Sequence, residues 1–87
     1  MMNNRDLAVP DEVLLDGNSV EVLRAWVANG KLVCALRPAT WKDPAAWGIV
    51  LADAARHVAN AIRDEIGTEP SAAIAKISET FNRELNA

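Results

Sequence analysis

Asp53, Arg56 and His57 are the residues whose types and spacing come nearest to a chemical constellation in this chain. On a helix, Asp53 would meet Arg56 three residues on and His57 four residues on, close enough for side chains to touch. A carboxylate holding one imidazole nitrogen fixes the ring and favours its charged form, the arrangement of an acid–base pair. The competing reading is an ordinary ion pair on a helix surface, with the imidazole edge covering the core beside it. Trp41, upstream of the same segment, could wall a pocket, so the candidate ligand-binding set is Trp41, Asp53, Arg56 and His57. Cys34 is the single thiol and His57 the single histidine, so a Cys–His pair would have to use both. With one of each and scattered carboxylates, no spacing supplies the three or four converging ligands of a zinc site, and no metal is expected. Gly17, Gly30, Gly48 and Gly67 stand apart, so there is no phosphate-cradling loop and no cofactor is expected.

The element that must position Asp53, Arg56 and His57 is the stretch from Trp41 to Ile66. Trp47, Val50, Leu51, Ala54, Ala55, Val58, Ala61 and Ile62 recur at helical spacing and form one apolar stripe. Asp43 can accept a first-turn N–H and Pro44 suits the first helical position, so the helix is predicted to start there. Gly67 offers the left-handed residue that ends it. Trp41, just before the cap, is placed to pack back on the first turn in the manner of a hydrophobic staple. A second helix, Pro70 to Asn86, carries Ile74, Ile77, Phe81 and Leu85 on one face and a Glu79–Arg83 pair on the other. The short link between them makes the two helices neighbours.

Upstream, two β-rich runs flank Asn29-Gly30, the pair favoured in two-residue type I′ turns. With that pair as the turn, Ala28 faces Lys31, Val27 faces Leu32, Ala25 faces Cys34 and Leu23 faces Leu36. One face of the hairpin, from about Val20 to Arg37, is then wholly apolar. The other pairs Arg24 with Ala35 and Trp26 with Val33, where Trp26 is the anomaly. A helix from Ser19 to Asn29 capped by Gly30 is the competing reading. Asp11 to Leu15 can form one helical turn, and residues 1–6 are expected to be flexible.

The segment from Val20 to Ile62 resembles small bacterial proteins known only as a domain of unknown function. Asp43-Pro44, Ala46-Trp47-Gly48, Leu51-Ala52-Asp53 and Arg56-His57 carry the resemblance. It implies an intact domain and brings no activity, cofactor or catalytic residue.

At 87 residues, 51% hydrophobic and 24% charged, the chain reads as one small globular domain, 1–87, of the α+β class: a β-hairpin followed by two packed helices. So small a core is marginal alone, so a partner subunit is expected. The hairpin leaves both edges unpaired, and two of them could join in a four-stranded antiparallel sheet within a homodimer. Trp26, Val33 and Ile49 are the candidate interface residues, since large apolar side chains at exposed positions favour contact surfaces. A net charge of −3 without a basic cluster argues against nucleic acid. The charged residues interrupting the long helix argue against a membrane span. Without a secretory signal or a disulfide framework, the cytoplasm is the expected location. The expected function is that of a non-enzymatic homodimeric interaction or accessory module, with a protein partner as a further expected contact. The alternative is a small-ligand binding protein or small enzyme using the pocket near Trp41, Asp53, Arg56 and His57.

Overall fold

The structure, a computed structural model, describes residues 6–87. The chain runs through a one-turn helix α1 (Asp11–Leu15), strands β1 (Leu23–Ala28) and β2 (Lys31–Leu36), a 3-10 turn at Pro38–Thr40, and helices α2 (Pro44–Ile66) and α3 (Pro70–Leu85). It divides into two compact units, one ending at Thr40 and the other running from Trp41 to Ala87. Of the segment 1–6, only Asp6 lies among the described residues.

In the first unit, β1 and β2 pair antiparallel from Leu23↔Leu36 to Ala28↔Lys31. This register follows from the turn. Asn29 and Gly30 have φ of 53° and 74°, the two positive values a type I′ turn requires, and Asn and Gly are the residues that adopt them with least strain. The helical alternative for Ser19 to Asn29 is thereby excluded. Beyond the strands, the Arg37 N–H donates to the Val22 carbonyl at 3.0 Å, and the Arg37 Nε donates to the Glu21 carbonyl at 3.2 Å. These bonds hold the open end of the hairpin together. Ser19 and Asn18 close the preceding turn by donating their N–H groups to the Asp16 carbonyl and carboxylate.

In the second unit, the Asp43 carboxylate accepts the Ala45 N–H at 2.9 Å, and Pro44 occupies the first turn, so both start signals operate. At the other end Gly67 sits at φ 89°, and its N–H donates to the carbonyls of Arg63 and Ile62. A β-carbon would strain that conformation, which is why the helix stops at a glycine. α3 follows after three residues and packs on α2.

The buried residues at this packing are Ala59 on α2 and Ala73 on α3. Both are alanines, so the pair fully covers small side chains rather than a large apolar core. Sequence spacing centres the α2 stripe on Leu51, Ala54 and Val58. The helix pair instead uses one flank of it, with Ala55 and Ile62 partly covered beside Ala59. Leu51 and Val58 remain 42% and 48% exposed. The apolar stripe is wider than one helix can cover.

Candidate functional site

α2 brings Asp53 and Arg56 together. The Arg56 Nη1 donates to the Asp53 Oδ1 at 2.7 Å, with both side chains more than half exposed. Exposed pairs of this kind contribute about 0–1 kcal/mol because water and salt screen them. His57 is also exposed, and among the described residues nothing hydrogen-bonds to its ring. The Asp53 carboxylate thus serves the guanidinium, and His57 is exposed rather than covering the core edge that its spacing assigns it.

Trp41 meets Trp47 edge to face, with ring centroids 5.3 Å apart and planes at 82°. This is the expected packing of a residue before the cap against the end of the first turn, and such aromatic pairs contribute about 0.5–1.5 kcal/mol beyond their buried area. The pair lies at the N-terminal end of α2. Asp53 begins about two turns further along the axis, so the four candidate ligand-binding residues occupy two separate levels.

The mixed face of the hairpin is better organised than its sequence suggests. The Arg24 guanidinium donates twice to the Glu21 carboxylate, at 2.9 and 3.0 Å, and lies 5.9 Å from the centre of the Trp26 ring. Hydrogen bonding to Glu21 followed by its charge hold Arg24 above its ordinary pKa, with a smaller contribution from Asp6. Arg24 and Trp26, two residues apart, share a strand face, which permits the cation–π contact. Trp26 and Val33 face each other across the strands and stay exposed, as does Ile49 on α2. Glu21 was the residue passed over in the sequence. Its signal was its place three residues before an arginine at the mouth of a strand pair.

The opposite face of the hairpin holds Leu23, Ala25, Val27, Leu32, Cys34 and Leu36. Val27 is 80% exposed and Leu32 71%, and Cys34 is exposed as well. Cys34 lies on the face whose apolar pattern would point it into a core. The first unit supplies no layer over this face, so its thiol is open.

A mostly apolar groove of about 680 Å³ runs along the helical pair, lined by Ile62, Thr68, Ala72, Ala73, Lys76, Ile77 and Thr80. None of Trp41, Asp53, Arg56 or His57 lines it. A smaller hollow of about 230 Å³ lies at the open end of the hairpin, between Glu21, Arg24 and Arg37. Among the described residues no three of His, Cys, Asp and Glu come together as metal ligands. No helix there is long and apolar enough to cross a membrane.

Residues 6–87 match the model of a family described as a domain of unknown function, DUF5076. The chain belongs to that family. Among solved structures, this DUF5076 chain is similar to one from the photosynthetic bacterium Rhodopseudomonas palustrus, provisionally described as a pyruvate dehydrogenase. The two are 33% identical with a TM-score of 0.76, over 100% of this chain and 88% of the other. No curated protein matches the chain. The family covers the α1 turn and α3 as well as the hairpin and long helix, a wider span than the Val20–Ile62 resemblance read from the sequence.

Proposed function

We propose that this DUF5076 chain is a small non-enzymatic accessory module of the cytoplasm that acts as a homodimer, with the hairpin in its contact surface. One observation carries this reading: a two-stranded sheet exposes large apolar side chains on both faces, Val27 and Leu32 on one and Trp26 and Val33 on the other. A lone hairpin of this kind is marginal in water, and exposed apolar patches mark contact sites. Edge-to-edge pairing of two hairpins in a four-stranded antiparallel sheet would satisfy the outward N–H and C=O groups of one strand in each copy.

The relative's pyruvate dehydrogenase description is not carried over. Opening a 2-oxo acid needs an electron-sink cofactor of the thiamine diphosphate kind, and a diphosphate is held by a cation or a cradle of backbone N–H groups. The glycines are isolated, so the chain offers no glycine-rich cradle for a diphosphate.

Native mass spectrometry of the untagged protein tests the reading. A dimer at low micromolar concentration is expected, with the Trp26→Ala variant dissociating about tenfold more readily, since truncating an aromatic anchor commonly costs more than 1 kcal/mol. A monomer at that concentration would count against it. A reproducible extra mass, lost in Asp53→Ala/His57→Ala, would favour the small-ligand alternative.

A further inference from the structure

The open end of the hairpin gathers charge that the sequence disperses. Residues 18–38 hold one carboxylate, Glu21, against Arg24, Lys31 and Arg37, in a chain whose net charge is −3. The register sets Arg24 opposite Ala35, and the bond from the Arg37 N–H to the Val22 carbonyl sets Arg37 opposite Val22. Arg24 and Arg37 are therefore diagonal neighbours on one face, at a separation of about 7–8 Å that long side chains span. Both line the 230 Å³ hollow, and every other residue lining it belongs to the same two chain segments, 21–24 and 35–37. The hollow is complete within the hairpin unit.

Glu21 anchors both guanidinium groups. Its carboxylate accepts from Nε and Nη2 of Arg24 at 3.0 and 2.9 Å, and its carbonyl accepts from Nε of Arg37 at 3.2 Å. Arg37 is also fixed through its main chain, since its carbonyl accepts the Thr40 N–H at 3.2 Å and the Thr40 hydroxyl at 2.7 Å. Among the described residues nothing accepts from its Nη1 or Nη2. Those two nitrogens are the end of the guanidinium fork, whose N–H groups match the two oxygens of a carboxylate. Because Nε is already held, less side-chain freedom is lost when the fork closes on a ligand. Two cations against one carboxylate leave the hollow one negative charge short.

We infer that this hollow is a binding site for a single carboxylate group on a short apolar tail, received by the Nη1 and Nη2 fork of Arg37, with Arg24 supplying the second positive charge and Glu21 holding both arginines in place. Size and charge select the ligand class. At about 30 Å³ for each water-sized group, 230 Å³ holds roughly seven or eight non-hydrogen atoms, the size of a short monocarboxylic acid. One missing charge favours a monoanion over a phosphate dianion. Val22 and Ala35, on the same face as the two arginines, offer the tail an apolar wall. Water competes for exposed donors, so the expected dissociation constant is millimolar. The site shares no residue with the set Trp41, Asp53, Arg56 and His57, and it is independent of the number of subunits.

The full-length, isotope-labelled protein is titrated with sodium butyrate at an ionic strength held constant with sodium chloride, and followed by NMR. The expected result is a saturable shift confined to the Arg37 Nε–H and the amides of residues 21–24 and 35–37, with a dissociation constant below about 10 mM. Butanol, the same tail without the charge, leaves these signals in place. Arg37→Gln is expected to weaken binding about tenfold, and Arg37→Lys, which keeps the charge and loses the fork, by less. Glu21→Gln removes the opposing charge and keeps the carbonyl, so it is expected to tighten binding about threefold, a gain that no folding defect produces. N-acetylalanine, which presents the end of a peptide chain, is titrated alongside: tighter binding than butyrate would assign the carboxylate to a chain terminus, and weaker binding to a free acid. Shifts that grow with butyrate without saturating, equal binding by Arg37→Gln, weaker binding by Glu21→Gln, or tighter binding of inorganic phosphate than of butyrate would each overturn the site.

Discussion

The hairpin and the helical pair are built on one plan and differ in what covers them. Each is a pair of consecutive elements packed together and closed by a short connection: Asn29-Gly30 in one, Gly67 to Glu69 in the other. The helices satisfy their backbone groups internally and, where they pack together, cover Ala59 of one and Ala73 of the other. The strands pair with each other along one edge each and leave both faces bare. The helical pair is therefore held by its own packing, while the hairpin is held by turn geometry and ladder bonds. Local signals can specify an element completely without providing anything for its side chains to rest on.

The largest effect that would sharpen this contrast is at Ala59. Ala59→Leu forces a branched side chain into the most buried position of the helical pair and is expected to destabilise the protein by about 3 kcal/mol, the upper part of the overpacking range. Urea denaturation at fixed protein concentration measures it, and a change below 1 kcal/mol would mean the helices are not limited by close approach. In the hairpin the corresponding weak point is the turn. Gly30→Val places a β-branched residue at φ 74° and should cost about 1–3 kcal/mol, with loss of the Val27 and Leu32 amide protection in hydrogen exchange. Unchanged protection would show that the strands hold without the turn.

Asp43→Ala removes the cap on α2 and is expected to cost about 1 kcal/mol, read as a shift of the urea midpoint without a change of slope. The smallest effect belongs to the candidate chemical cluster. Asp53→Ala/His57→Ala should leave both the urea midpoint and the dimer mass within error, since the one ion pair it breaks is exposed to solvent. A clear loss of either would reveal a role for these residues that exposure conceals.

Most of the element pattern was legible because the responsible signals are local. Asn29-Gly30 dictates the register, Asp43-Pro44 starts α2, and Gly67 ends it, each through a conformation that few other residues adopt. α3 ends at Leu85, one residue short of expectation, the usual fraying of a helix terminus. The side of α2 that α3 would choose was not legible from apolar spacing. That spacing weights Leu51 and Val58 most heavily, whereas the positions the helix pair buries are the small residues Ala59 and Ala73. An alanine recurring every three or four residues, at Ala52, Ala55 and Ala59, was the available sign of close approach. The Asp53–Arg56 contact followed from helical spacing alone, and Glu79 and Arg83 likewise meet at 3.8 Å. Spacing along one helix cannot supply the enclosure that would turn such a contact into a site.

The brevity of the two connections also bears on how quickly the protein assembles. A two-residue turn and a three-residue loop bring together elements that are already neighbours along the chain, so little loop-closure entropy opposes either unit. Hairpins and helices of this size form in about 1–10 μs or less. For the proposed homodimer, meeting a second copy would be bimolecular, and at micromolar concentration with an ordinary association rate it would take on the order of a second. Refolding of such a dimer would then show a rapid phase indifferent to dilution, followed by a slower one that slows further on dilution.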